Sequence, residues 1–411
     1  MRTYIINFIL FSLMSVVAQS QTLNDYFHTA AKNNPGLQSK YKEFEAALQK
    51  VPQMNSLPDP SFSFGYFISP VETRMGPQKA KFSLTQMFPW FGTLEAQGDA
   101  AALMAKAKYQ LFIDARNKLF YYVSATYYPL YELEQWIKVE QKNINILQSY
   151  KAIANSKFKN GTAPMVDVLR VDIMLKDATT NLSILEKEEK PLLTTFNKIL
   201  DRNENEKVKV SDSLTSVYLS ENYRRDSLLT NNPILKSLDL KIKASETNEI
   251  VAQKQSLPKL GIGLDFVIVG KRSDISIPDN GKNIFMPIVS ATIPIFRKKY
   301  KATEKEAQLI KESYSLEKNE TANSLISNYE STWFEIQQQK ELLDLYKQQT
   351  LETKQTLNLL FSAYGNSGKD FEEVLRMQQQ LLKYEKMKAT AVTKYHIALA
   401  KLNYITAKTY K

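Results

Sequence analysis

Covalent chemistry needs groups that take up a proton, attack a carbon or hold a metal, and this chain is short of them. Its 411 residues contain no cysteine and only two histidines, His28 and His396. Thiolate nucleophiles, Ser-His arrangements and imidazole or thiolate metal sites therefore lose their usual parts. Adjacent acids such as Glu188-Glu189 are ordinary on a helix surface, and no nucleophile stands beside a base. The 11 methionines are too scattered to form a soft-metal relay. The expectation is a protein that is no enzyme and holds no cofactor and no metal. What remains are charges and aromatics beside turn formers. Asp167 follows Gly161; Glu372, Glu373 and Arg376 follow Gly365; and Phe88-Pro89-Trp90-Phe91-Gly92 sits where an alternating run gives way to a glycine-poor one. Groups of this kind position and repel rather than react.

The elements that hold these residues are long. Only 12 glycines in such a chain argue for few turns. The first residues are an address: Arg2 precedes an apolar run from Ile5 to Ala18, and Ala18-Gln19-Ser20 is a small-x-small cleavage site, so residues 1–20 read as a secretory signal peptide. Its apolar core is too short to cross a bilayer as a helix, and no later run approaches the ~18 apolar residues a crossing needs. If the chain spans a membrane, it does so as a barrel. The net charge is +11, but the lysines alternate with glutamates along helical stretches, as on a solvated face. No basic cluster with interleaved aromatics is present, so no nucleic-acid partner is expected.

The chain repeats itself. Asn33-Asn34-Pro35 recurs as Asn231-Asn232-Pro233, Ser56-Leu57-Pro58 as Ser256-Leu257-Pro258, Phe88-Pro89 as Ile293-Pro294, and Val168-Leu169-Arg170 as Val374-Leu375-Arg376. The order holds and the spacing drifts slowly, as a duplication with small insertions produces. Residues 21–200 and 231–411 form the two repeats, and the polar stretch 201–230 connects them, with a short strand at Val208–Val210. Each repeat opens with a helix, Leu23–Val51 or Pro233–Gln255. Two alternating strands follow, at about 60–69 and 80–88 and again at about 259–269 and 285–294, joined by polar loops. Next comes a long helix, 93–159 or 298–364. The first is roughly 100 Å long at ~1.5 Å per residue. Glycine breaks at Gly161 and Gly365 lead into return helices at 164–200 and 369–409. In the second return helix Val374, Met377, Leu381, Tyr384, Met387, Ala391, Tyr395, Leu399 and Leu402 recur at close to the coiled-coil period of ~3.5.

Four strands cannot close a membrane barrel, since single-chain barrels begin at about eight. Several chains would have to share one. At this point the residues resemble a family, the TolC-like outer-membrane efflux channels. The resemblance rests on the duplicated order of elements, the SLP and FP/IP punctuation, and the tip pattern Phe158…Gly161…Asp167-Val168-Leu169 with its copy Tyr364-Gly365…Glu373-Val374-Leu375. It implies a mainly α fold with a small β part, assembled as a homotrimer: a twelve-stranded outer-membrane β-barrel continuing into a twelve-helix periplasmic α-barrel. It also implies outer-membrane lipid around the barrel, and a periplasmic adaptor and inner-membrane pump as partners. The channel is then a passive exit duct. The wording SLPDP and QMFPWFG is similar to branches associated with metal-cation efflux.

The resemblance assigns residues too. Asp167 would be held by Tyr364 and the basic Lys369 of a neighbouring hairpin, closing the tip. Lysine there lacks the bidentate fork of arginine, which makes the latch looser. Glu373 would lie at the narrowest ring, with Arg376 where a second acid is usual and Glu372 beside them in the gate. Gly161, Val168, Leu169, Gly365, Val374 and Leu375 would meet the adaptor. Phe88, Pro89, Trp90, Phe91 and Gly92, with Ile293, Pro294 and Phe296, would form the joint between barrel and helix, the proline ending the strand ladder and the aromatics sitting at the membrane edge. Two other readings are an exported trimeric coiled-coil scaffold and a periplasmic adaptor. The first leaves the paired amphipathic hairpins unexplained, and the second lacks β-rich flanks.

Overall fold

The structure is a computed structural model that describes residues 22–210, 214, 225–367 and 371–408. The expected signal peptide, most of the later connector, and Lys369 lie outside these residues. The elements in chain order are α1 (Leu23–Asn33), α2 (Pro35–Asn55), β1 (Ser61–Thr73), β2 (Gly76–Phe88), α3 (Thr93–Lys159), α4 (Met165–Ile199), α5 (Arg225–Asn231), α6 (Pro233–Gln255), β3 (Lys259–Val269), β4 (Ile284–Thr292), α7 (Arg297–Ser367) and α8 (Phe371–Ile405). The order helix, two strands, long helix, return helix thus occurs twice. The chain divides into two compact units. One comprises residues up to 38, 115–228 and from 325 onward; the other comprises 39–114 and 229–324. Helices α2, α3 and α7 contribute residues to both.

The ends of the helices show why the sequence breaks where it does. The single first helix expected at Leu23–Val51 is two. Asn34 closes α1 through its N–H to the Ala30 carbonyl (2.9 Å) and opens α2 by accepting from the Leu37 N–H (3.0 Å). Its amide also donates to the Ile199 carbonyl (2.9 Å). Asn232, before Pro233, caps α6 in the same way, accepting from Ile234 and Leu235 (2.9 and 3.3 Å). Helices α3, α4 and α8 end in one shared motif. In α3 the Gly161 N–H reaches the Phe158 carbonyl and the Thr162 N–H reaches that of Lys157; Asp201 and Arg202 do the same for α4, and Ala407 and Lys408 for α8. Gly161, Asp201 and Ala407 all take the left-handed conformation that this cap requires. The break expected over Gly365–Gly368 does not begin at Gly365, because α7 runs on to Ser367. One glycine weakens a helix by only about 1 kcal/mol, too little to end so long a segment.

The unit containing the sheet has four antiparallel strands in the order β1-β2-β3-β4. Register pairs Phe64 with Phe82, Phe82 with Phe266, Phe266 with Phe285, and Ile262 with Val289, so the alternating apolar residues share one face. On that face Phe62, Phe64, Tyr66, Leu84, Ile262 and Val289 are exposed. The opposite face carries Ser83, Thr85 and an ion pair between Lys81 and Asp265. The loop expected at SPVETRMGPQ is strand instead, with only Arg74 and Met75 between β1 and β2. Its prolines mislead in sequence. Pro70 lies at an irregularity of edge strand β1, and Pro77 pairs with Glu72 alone, beyond the end of β3. Neither position needs a ladder N–H. Gly76 adopts φ of +132°, and a Cβ there would stand 1.8 Å from the Gly270 carbonyl oxygen.

In the other unit α3 packs along α8 through a seam that mixes apolar and polar groups. Glu140 is fully buried and paired with Lys386, whose carbonyl accepts from the Trp136 indole (3.2 Å). Asn143 donates to Glu140 (3.3 Å) and accepts from Gln378 (3.0 Å). Thr390 donates to Glu132 (2.5 Å), and burial holds the Glu132 carboxyl above its ordinary range. Of the coiled-coil stripe, Val374, Leu381, Ala391, Tyr395 and Leu402 are buried, while Met377, Tyr384, Met387 and Leu399 are half-buried. The start of the connector is docked rather than loose. Arg202 lies over the rings of Tyr26 and Phe196 and bonds the Asn197 side chain (2.7 Å). Residues 208–210 form no strand; the Lys209 N–H bonds the Tyr26 hydroxyl (3.1 Å) instead.

Two stability outcomes follow from these contacts. Asn232→Ala is expected to lose about 1 kcal/mol, read by thermal unfolding of the detergent-purified chain, with Asn232→Asp close to the parent. Lys386→Met strands the buried Glu140 carboxylate and is expected to lose about 3–5 kcal/mol, most of which the double change Glu140→Leu/Lys386→Met restores.

Candidate functional site

The residues that the sequence assigns to a closing tip meet in one place. The α3–α4 and α7–α8 hairpins share an apolar cluster that includes Leu147, Tyr150, Ala154, Val168, Val171, Leu357, Tyr364, Phe371, Val374 and Leu375. Tyr364, fully buried, stacks on Phe371 at 4.3 Å between ring centroids, and Tyr150 stacks on Phe361 at 5.0 Å. Burial pushes the Tyr150 hydroxyl up to about 12. Val168, Val374 and Leu375 are therefore interior. They hold the hairpins together, which removes them from the surface a partner could touch. Gly161, Leu169 and Gly365 are exposed.

Asp167 enters this cluster from the first turn of α4, where its charge suits the helix N-terminus. It is buried, and no hydrogen bond reaches its carboxylate among the described residues. Burial raises its pKa above the usual carboxylate range, and the nearby Arg170 opposes this. Tyr364 is close enough to feel that charge: its own pKa is raised by burial first and by Asp167 second. Among the described residues the Tyr364 hydroxyl nevertheless makes no hydrogen bond. Asp167 and Tyr364, which the resemblance joins in a latch, are neighbours within this chain, and no hydrogen bond links them.

The remaining charges pair locally. Glu373 bonds Arg376 one turn along α8 (2.5 and 3.1 Å), and Glu372 pairs with Arg170 of the other hairpin (2.9 Å). Both pairs are exposed and so contribute little to stability. A group the sequence reading passed over, Lys157, also crosses between hairpins. Its Nζ lies 5.0 Å from the centre of the Tyr364 ring and donates to the Gly365 carbonyl (3.0 Å). The only sequence signal was a cation in the last turn before a glycine cap.

In the sheet unit, β2 ends at Phe88, directly before Pro89, and α3 begins after Gly92 at Thr93. Gly92 has φ of +71°, and a Cβ there would stand 2.9 Å from the Lys254 Nζ, which bonds the Phe91 carbonyl (3.1 Å). Phe91 is exposed and Trp90 meets it edge-on at 5.8 Å. In the second copy Ile293, Ile295 and Phe296 are exposed around Pro294, and α7 begins at Arg297.

Because the folded Asp167 pKa exceeds the unfolded one, the native tip binds this proton more tightly. Stability is therefore gained as pH falls through the raised value. Thermal melts between neutral and acid pH are expected to show that gain in the parent. Asp167→Asn should melt higher at neutral pH and lack this component.

No protein-family model and no curated protein sequence matches the chain. Solved structures do. The outer-membrane channel OprN aligns over 94% of this chain and 90% of its own, with TM-score 0.76 at 14% identity. The outer-membrane protein VceC of Vibrio cholerae aligns over 95% and 97%, with TM-score 0.76 at 14% identity. The CmeC outer-membrane channel of Campylobacter jejuni aligns over 93% and 85%, with TM-score 0.73 at 16% identity. At such low identity the likeness is one of backbone path over almost the whole length of both partners, and the chain accordingly has the fold of the TolC-like outer-membrane channels.

Proposed function

We propose that this protein is an outer-membrane channel, a passive trimeric duct that extends into the periplasm and releases substrates delivered by an inner-membrane pump through a periplasmic adaptor. The observation that carries this is the sheet: one face is apolar and exposed across all four strands, and β1 and β4 are each paired on one side only among the described residues. An apolar face that large seeks lipid, and an open edge inside a bilayer is untenable. Copies of the chain must complete one another's sheets, and three copies make a twelve-stranded barrel. Phe88, Trp90, Phe91 and Phe296 then sit at its inner rim as an aromatic girdle. The long helices continue it as an α-barrel whose duplicated hairpins close the far end.

In this reading Asp167, Tyr364, Lys369, Glu372, Glu373 and Arg376 belong to the closure, and the exposed Gly161, Leu169 and Gly365 are the tip surface for the adaptor. Metal-cation cargo is the substrate class supported by the SLPDP and QMFPWFG wording. Protein extracted by detergent from the outer-membrane fraction is expected to run as a trimer and to form ion-conducting pores in planar bilayers. A trimer that never conducts would leave the scaffold reading standing. The orientation of the sheet has its own test: Phe64→Arg on the lipid face should lose about 2–4 kcal/mol at mid-bilayer depth and prevent assembly, while Ser83→Arg on the opposite face assembles normally.

A further inference from the structure

We propose that Lys157 clamps the two hairpins of one chain together at the tip and is thereby a positioning residue of the closed channel; the gating half of this rests on the channel reading above. The clamp begins with the helix cap. The Lys157 carbonyl accepts from the Thr162 N–H (2.8 Å) and hydroxyl (3.0 Å), so the stem of the side chain starts from a fixed point on α3. Its ammonium crosses to the end of α7 and donates to the Gly365 carbonyl at 3.0 Å. Gly365 lies in the last described turn of α7, toward the negative end of the helix dipole. The same ammonium lies 5.0 Å from the centre of the Tyr364 ring. That ring cannot swing away, because it is fully buried and stacked on Phe371.

Three attractions therefore converge on one cation: the Gly365 carbonyl, a helix terminus and a ring face. All three are lost when the second hairpin moves off the first. Near the tip, the described cross-hairpin ion pair of Arg170 with Glu372 is exposed at both ends and cannot substitute for it, and the buried pair of Glu140 with Lys386 lies further along the seam. The role depends on charge more than on shape. Lys157→Arg keeps a cation over the ring and within reach of the carbonyl, whereas Lys157→Met keeps the stem and loses the charge.

The absence of cysteine makes the experiment direct. Spin labels at the exposed positions Leu169→Cys and Leu359→Cys report the distance between hairpins in the full-length assembled protein. Lys157→Met should broaden that distance distribution and Lys157→Arg should restore it. In planar bilayers Lys157→Met should raise the open fraction about two- to five-fold, the factor that one exposed cation–π contact is worth. An unchanged distribution in Lys157→Met overturns the clamp, even where the parent conducts. A broadened distribution with no current from any variant, the parent included, supports the clamp and overturns the channel reading.

Discussion

A helix of 67 or 71 residues has no compact core to bury its side chains against. It has to find partners along its whole length, and most of the packing follows from that. In α3 the buried positions recur every three or four residues, from Val123 and Tyr127 through Leu147 and Tyr150 to Ala154. An apolar stripe of that kind can slide by a turn without losing much area. Glu140 and Asn143 interrupt it, and their partners Lys386 and Gln378 stand at one place on α8. A polar group buried in a helical seam is tolerated only opposite its complement, so these residues define which turn faces which.

The same economy governs the tip. The hairpins are joined by an aromatic and aliphatic cluster, and most charges around it pair near the surface. Asp167 is the exception, a carboxylate inside the cluster to which no described residue donates a hydrogen bond. Its burial opposes ionisation, while the ring of Tyr364 beside it is shared with the ammonium of Lys157. A group kept under electrostatic strain at a junction between two movable elements is where a small change of charge has the largest effect on packing.

Much of this was legible in the residues. The long helices and the second-repeat strands stand within a few residues of where glycine-poor runs and alternation put them. What misled the reading was punctuation. Pro70 and Pro77 looked like loop because proline lacks a ladder donor, yet each sits where no donor is needed. Gly365 looked like a stop, yet α7 continues through it. Asn34 looked like part of a start, and it divides one helix from the next by serving both. In each case the residue type was read correctly and its neighbours, which the sequence does not display, decided the outcome. At the tip, the resemblance rather than any local pattern named Asp167 and Tyr364 together, and Val168, Val374 and Leu375, which it gave as a contact surface, are interior.

By itself the sequence determined the periods: ~3.5 along the second return helix, two along the strands, and the long period of the repeat. These are local properties, set by backbone geometry and by which side chains avoid water, and a single chain displays them in order. Only the tertiary structure decided which partner each polar group found. That Glu140 meets Lys386, that Lys157 reaches the ring of Tyr364 and the carbonyl of Gly365, and that the Tyr364 hydroxyl does not bond Asp167 depend on register between segments far apart in the chain. Register is a property of packed surfaces, where a shift of one turn exchanges every contact, and no local pattern in the chain carries it.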